Sequence, residues 1–308
     1  MLKRKTYDVS RAGGIFAALI ALVGSAAEAR EPGVPPSVPP GSTIGIPIAA
    51  NPPPGFYLSS LNNYNNLELK DNNGDDVGVG LDVASTALHL MWVPGINLLG
   101  GDFRAHIVQP FLHVDQSSSF GPISSGTEFD LGNTQISPVG VSWAIAPGQS
   151  VAADLVFVAP TGKWTAADPV NTGANFWTFA PSLSYTYFTD DWNASVQLQY
   201  FTNTENKSNN YKSGDEILAN FTALKDIGGF KIGPVGYYRK QVSSDTNSGT
   251  AFGGTISGKA EQLGLGLGLS TRVGPVGVVG RLTHDVKAKN AAAGTSFAVS
   301  FIIPMGKK

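Results

Sequence analysis

The sequence predicts an all-β fold, a twelve-stranded antiparallel up-and-down transmembrane β-barrel, on three observations. Runs of about nine residues alternate apolar and polar side chains with the period of two that a strand imposes. Between those runs, short turn signals and longer polar stretches alternate strictly. That rhythm is what tight turns at one rim and longer loops at the other require. Composition falls between the usual classes: 42% hydrophobic, 14% charged and 37 glycines among 308 residues is polar for a bundle of membrane helices and weakly charged for a soluble domain. A barrel with one apolar and one polar strand face reconciles these values.

In chain order, the N-terminus comes first. Lys3, Arg4, Lys5 and Arg11 precede an uncharged apolar run over residues 12–23, and Ala27-Glu28-Ala29 offers a small-x-small cleavage site. Together these features predict a secretory signal over residues 1–29, whose apolar run is too short to stay in a bilayer as a spanning helix. Removing its four basic and two acidic residues from 21 and 23 leaves 17 and 21, a net charge of −4 that suggests no nucleic-acid partner. The absence of cysteine excludes disulfides, thiolate catalysis and thiolate metal sites. No later stretch reaches the roughly 18 uncharged apolar residues of a membrane helix.

Residues 30–55 follow as a proline-rich segment, with nine prolines between Glu31 and Pro54, including Pro35-Pro36, Pro39-Pro40 and Pro52-Pro53-Pro54. Proline lacks the amide hydrogen a sheet ladder needs, so an extended, unpaired chain is expected. Two readings are compatible with it, a periplasmic leader or a partial plug of the lumen.

Residues 56–308 form the barrel. The nine residues beginning at Trp192 put Trp192, Ala194, Val196, Leu198 and Tyr200 on one face and Asn193, Ser195, Gln197 and Gln199 on the other. Leu263, Leu265, Leu267 and Leu269 alternate with glycines, Leu183, Tyr185 and Tyr187 with Ser182, Ser184 and Thr186, and Phe297, Val299, Phe301 and Ile303 repeat the pattern near the end. A soluble barrel alternates too, but the connections favour lipid. Compact turns are read at Pro94-Gly95-Ile96-Asn97, Pro147-Gly148, Asp190-Asp191, Ile227-Gly228-Gly229 and Gly274-Pro275. Longer polar loops are read at residues 71–76, 114–130, 161–174, 205–214, 244–258 and 288–294. Five turns and six loops in alternation require twelve strands with both chain ends on the turn side, the periplasm in an outer membrane. Aromatics cluster near strand ends, as at Phe56-Tyr57, Trp92, Phe176-Trp177, Trp192, Tyr200-Phe201 and Tyr237-Tyr238, where amphipathic rings suit the headgroup level.

Motifs of catalysis and metal binding do not assemble. Asp71-Asn72-Asn73-Gly74-Asp75-Asp76 is rich in oxygen ligands, yet its glycine is fourth where an EF-hand loop needs it sixth, and Asn73-Gly74 is a hairpin-turn pair. Gly264-Leu265-Gly266-Leu267-Gly268 keeps a strand period rather than opening a helix, which argues against a dinucleotide site. No Gly-x-Ser-x-Gly elbow accompanies the four histidines, and His113 or His284 would have to serve an outer-membrane hydrolase without a recognisable partner. No cofactor, metal or enzymatic role is expected.

Strand parity then names the lumen. If Phe103, Ala105 and Ile107 face lipid, Arg104 and His106 point inward; Leu155 and Phe157 likewise send Asp154 inward, and Val276, Val278 and Leu282 send Arg281 and Asp285 inward. In the second strand Leu81 and Val83 share one parity and Leu88, Leu90 and Trp92 the other. A bulge near Ser85 would reconcile them and place Asp82 and His89 in the lumen. Asp82, His89, Arg104, His106, Asp154, Arg281 and Asp285 are therefore the candidates for lining a solute path or for filling the barrel with ion pairs.

Several stretches resemble one family. NTGANFWTFAPSLSYTY at residues 171–187, Asn203-Thr204-Glu205-Asn206, Tyr211-Lys212-Ser213-Gly214-Asp215 and Gly236-Tyr237-Tyr238 are similar, in this order, to outer-membrane transporters associated with the meta-pathway of phenol degradation. Pro53-Pro54-Gly55-Phe56-Tyr57 and Lys70-Asp71-Asn72-Asn73-Gly74 extend the likeness towards the N-terminus. The resemblance implies a monomeric barrel in the outer membrane of a Gram-negative bacterium, related in architecture to fatty-acid-transporter-like channels. It would be inserted by the barrel-assembly machinery among lipid and lipopolysaccharide, and would admit small hydrophobic or aromatic solutes passively. Such chains usually end in an aromatic residue, whereas this one ends Pro304-Met305-Gly306-Lys307-Lys308, so Phe301 is expected to take that part. The alternative is a structural or surface-interaction barrel using residues 114–130 and 244–258 as binding loops.

Overall fold

The computed structural model describes residues 30–119 and 124–305; the signal expected at residues 1–29 and the terminal Gly306-Lys307-Lys308 lie outside the described residues. Twelve antiparallel strands close into a barrel: β1 (Gly55–Lys70), β2 (Asp76–Val93), β3 (Gly101–Ser118), β4 (Thr134–Ala146), β5 (Gln149–Ala159), β6 (Ser182–Phe188), β7 (Trp192–Asn203), β8 (Glu216–Asp226), β9 (Lys231–Gln241), β10 (Glu261–Val273), β11 (Val276–Lys289) and β12 (Ala291–Met305). Closure is made by β1 against β12, from Phe56 opposite Met305 to Lys70 opposite Ala291. Closure leaves no sheet edge, which is why a strand fold can sit in lipid at all. No helix among the described residues is long and apolar enough to cross a membrane.

The five compact turns fall where the sequence places them, joining β2 to β3, β4 to β5, β6 to β7, β8 to β9 and β10 to β11. At the opposite rim, short ladders tie the loops down: Gly126–Leu131 pairs with β3 and Thr178–Phe179 sits between β5 and β7, both within the barrel sheet, while Tyr211–Lys212 pairs with Thr246–Asn247 as a separate two-stranded sheet. Two loops differ from expectation. Of the loop expected over residues 114–130, residues 114–118 continue β3 beside β2 and Gly126–Leu131 pairs back onto β3. Between β11 and β12 there is only Asn290, at φ 45°, not a loop over residues 288–294. Asparagine tolerates this left-handed conformation, and the Asn290 Nδ2 donates to Asn72 Oδ1 and the Lys259 carbonyl, each at 3.1 Å. The small residues Ala291, Ala292 and Ala293 carry too little apolar contrast to reveal the strand they begin.

A further difference concerns β2. Its register with β1 and β3 runs without interruption past Ser85, and the irregularity lies instead between Glu68 and Lys70 of β1. A single parity therefore holds, with Val79, Leu81, Val83, Ser85, Ala87, His89 and Met91 inside. Asp82 stands on the outer face, not in the lumen, where it accepts hydrogen bonds from the Tyr64 hydroxyl at 2.8 Å and Asn66 Nδ2 at 2.9 Å. The expected bulge assumed a polar lumen, and on this side the lumen wall is apolar.

The sequence leaves the path of the N-terminal segment open between two readings. The strand ends Gly55 and Met305 both lie at the turn rim, but Arg30 lies beside Glu216, the loop-side end of β8. Residues 30–54 therefore run down the inside of the barrel from the loop rim to the turn rim. Val34, Val38, Ile44 and Ala49 are buried there. Val38 and Ile44 pack with inward Val156, Val158, Phe201, Leu218, Leu224, Val235 and Tyr237. Each such fully buried Val or Ile side chain contributes about 1.5 to 3 kcal/mol.

Candidate functional site

The inner faces of β4 to β8 are dense in small polar side chains, and the proline-rich segment is their ligand. It both donates hydrogen bonds to the wall and accepts them from it. Gly41 N donates to Asn220 Oδ1, Gly45 N to Thr222 Oγ1 and Ala49 N to Thr186 Oγ1, each at 2.9 Å. Asn193 Nδ2 donates to the Gly45 carbonyl at 2.8 Å and Ser142 Oγ to the Ala49 carbonyl at 2.6 Å. Gly45, at φ +81°, passes so near β11 that a Cβ would stand 2.4 Å from Val279 Cγ1. Paired wall groups of this kind need no water, which is the physical reason a polar lumen can be dry on this side.

Two ionic clusters hold the segment at its ends. At the loop rim the Arg30 guanidinium donates to both oxygens of Glu216, with distances of 2.7 and 2.8 Å, and Arg239 reaches the same carboxylate. Next to it Glu31 accepts from Asn206 Nδ2 at 2.8 Å and Asn209 Nδ2 at 2.7 Å. The loop carboxyl of Asp245, beside Tyr211, is pushed above the usual carboxylate range by burial. At the turn rim, Arg104 Nε donates to Asp154 Oδ1 at 2.8 Å while its Nη1 donates to the Ile48 carbonyl at 2.8 Å and Asn51 Oδ1 at 3.2 Å. Gly140 makes room for that pair, since a Cβ there would lie 2.1 Å from Asp154 Oδ1.

What the segment leaves open is a cavity of about 2400 Å³. Its lining runs from loop-side Gln116, Phe252 and Ile256 to turn-side Asp190, Lys231 and Pro275. Along its length one wall is the inner face of β1 to β3, with Leu61, Leu67, Leu69, Leu81, Val83, Met91, Val108, Leu112 and Val114, and the prolines of the segment face it. The lumen is thus divided into a half filled by the chain itself and an open half rich in apolar side chains, interrupted by Asn63, Asn65, Ser85 and the His89 and His106 pair.

Of the seven candidates named from parity, six lie on this inner surface and Asp82 does not. His89 and His106 meet edge to face, ring centroids 5.0 Å apart, beside the Arg104 and Asp154 pair. Asp285 accepts from the Tyr237 hydroxyl at 2.6 Å, Gln262 Nε2 at 3.1 Å and Gly294 N at 2.9 Å. Arg281 reaches Asn63 Oδ1 across the intervening strand. His113 and His284 are on the outer face, His113 against Phe129 and His284 against Thr295. Parity missed Glu216, Arg239, Asn206 and the Ser, Thr and Asn side chains that seat the segment. Their common signal is inward polarity on β4 to β8, which reads identically whether water or chain fills the lumen.

The model of the family described as putative MetA-pathway of phenol degradation matches residues 68–301. Among solved structures, an outer membrane channel from Pseudomonas putida F1 is similar over 86% of this chain and 99% of its own, with a TM-score of 0.73 and 15% identity. The β domain of the Bordetella autotransporter Brka is similar over 81% of this chain and 98% of its own, at a TM-score of 0.45 and 13% identity. The CymD monoaromatic hydrocarbon channel matches over 82% and 89%, at 0.41 and 9% identity. No curated protein matches by sequence. At these identities the first likeness is one of fold, that of an outer-membrane β-barrel.

Proposed function

The chain belongs to the family described as putative MetA-pathway of phenol degradation, and we propose on that premise that it is a passive outer-membrane channel for small hydrophobic or aromatic compounds. The observation that carries this reading is the open, largely apolar half of the lumen, lined from rim to rim. Lipopolysaccharide slows apolar solutes, whereas a wall rich in Leu, Val and Met offers them a path with less polar surface to desolvate, the N-terminal segment having paired many of the polar groups opposite. His89, His106, Arg104, Asp154, Arg281 and Asp285 line this path, and transit is diffusion down a gradient. The host is a Gram-negative bacterium, residues 1–29 are removed after export, the barrel-assembly machinery inserts the chain, and a monomer suffices because the path lies within one barrel.

Proteoliposomes holding the purified protein should take up phenol-like solutes faster than empty liposomes, with no requirement for an ion gradient. Equal uptake by the two overturns the channel reading. Heat-modifiable migration on gels verifies that the barrel under test is folded.

A further inference from the structure

Among the described residues four arginines are buried in the barrel, and three have a carboxylate: Arg30 and Arg239 share Glu216, and Arg104 has Asp154. Arg281, 7% exposed, has no ion pair among the described residues. Its one hydrogen-bond partner among the described residues is the neutral Asn63 Oδ1. The carboxylate next along its own inward face, Asp285, stands two inward positions further on, roughly 13 Å by strand rise, and takes its bonds from Tyr237, Gln262 and Gly294. An arginine keeps its charge at any ordinary pH, so at this level the open path presents a guanidinium with no carboxylate in contact with it, while Asp285, held by neutral donors, lines the same cavity further towards the loop rim.

The strand register shows how this charge is presented. Gly268, Arg281, Ala298, Asn63 and Ser85 lie at one level across β10, β11, β12, β1 and β2. The small Ala298 lets the guanidinium lie across to Asn63. One inward step towards the loop rim, Ser296 is opposite Asn65. Asn63, Asn65, Ser85, Ser296 and Arg281 all line the cavity, with Leu112 and Val83 beside them. The result is a polar shelf set between the Leu61 and Leu67 levels of the wall.

We propose that this shelf binds the carboxylate of a small, otherwise apolar solute, so that the path takes amphipathic monocarboxylic acids as well as neutral molecules. The inference rests on the channel reading and deepens it. A planar guanidinium fork matches a carboxylate bidentately. A single fixed cation balances one negative charge and leaves a dianionic phosphate half unmatched. The Asn and Ser side chains supply donors for the remaining lone pairs, and the Leu and Val neighbours accept the apolar body. The cost of taking the carboxylate out of water is offset where the charge it meets is already desolvated.

Benzoate and benzyl alcohol share a ring and differ in charge, so their uptake at pH 7 into proteoliposomes tests the site. Wild-type benzoate uptake should saturate while benzyl alcohol uptake stays linear over the same concentrations; linear benzoate uptake overturns the proposal without any variant. Arg281→Gln should lower benzoate uptake by about tenfold and Arg281→Lys by less than about threefold, the loss expected for one charge-assisted contact. Benzyl alcohol uptake should fall by a clearly smaller factor than benzoate uptake in Arg281→Gln, because no charge is at stake in its contacts. If both solutes fall together, or neither does, Arg281 is a structural group and the site is refuted. Wild-type carriage of benzyl alcohol alone refutes the site and leaves the channel standing; carriage of neither overturns both.

Discussion

Arg104 and Asp154 meet only because Gly140 lies between their strands without a side chain. Both partners are about 5% exposed, so the pair is a buried one, and removing half of it leaves a charge with no compensating charge. Asp154→Ala should lower unfolding stability by about 3 to 5 kcal/mol, read as a lower urea midpoint in detergent. Replacing Arg104 and Asp154 together by leucine should recover most of that loss. A single variant that unfolds at the wild-type midpoint would mean that lumen water solvates the guanidinium instead. Sequence parity alone placed both residues inward, because Phe103, Ile107, Leu155 and Phe157 mark the outward face on either side of them. Asp82 went astray by the same logic, for the rule that lumens are polar fails where Val79, Leu81, Val83 and Met91 line one.

Among the elements, the N-terminal segment depends most on a single anchor. Glu216 is the common acceptor of Arg30 and Arg239, so its removal leaves two guanidiniums side by side. Repulsion between them favours release of the loop-side end of the segment. Glu216→Ala should therefore raise single-channel conductance severalfold in planar bilayers, while Lys207→Ala, at an exposed pair with Glu205, should change nothing. Unaltered conductance in the first variant would show that the buried Val38 and Ile44 hold the segment without the anchor. The nine prolines already excluded strand pairing here, since each lacks a donor. They did not distinguish a free leader from a lumen ligand, because the hydrogen-bond partners come from strands far along the chain, from 51 residues away at Asp102 to 186 at Glu216.

For the molecule as a whole, the path of residues 30–54 sets which part of the chain faces which compartment. The protein has no cysteine, so a single introduced thiol reports its own location. With the loop rim outward, Pro32→Cys should react with a membrane-impermeant maleimide on intact cells, and Pro53→Cys only after the outer membrane is breached. The reverse pattern would invert the barrel or remove the segment from the lumen. Strand lengths agree with an outward loop rim. β2 and β3 have 18 residues each, where roughly 9 to 11 cross a bilayer, and the surplus stands on the side of the longer loops.

Fold class, strand number, the five tight turns and the inward set on β3, β5 and β11 were determined by the sequence itself, because period-two alternation and turn chemistry are local and each strand carries its own record of them. The tertiary structure alone decided what fills the lumen. Whether an inward Ser, Thr or Asn meets water or chain, whether β2 needs a bulge, and which arginine lacks a carboxylate all depend on residues brought together across the barrel. No local pattern encodes those meetings.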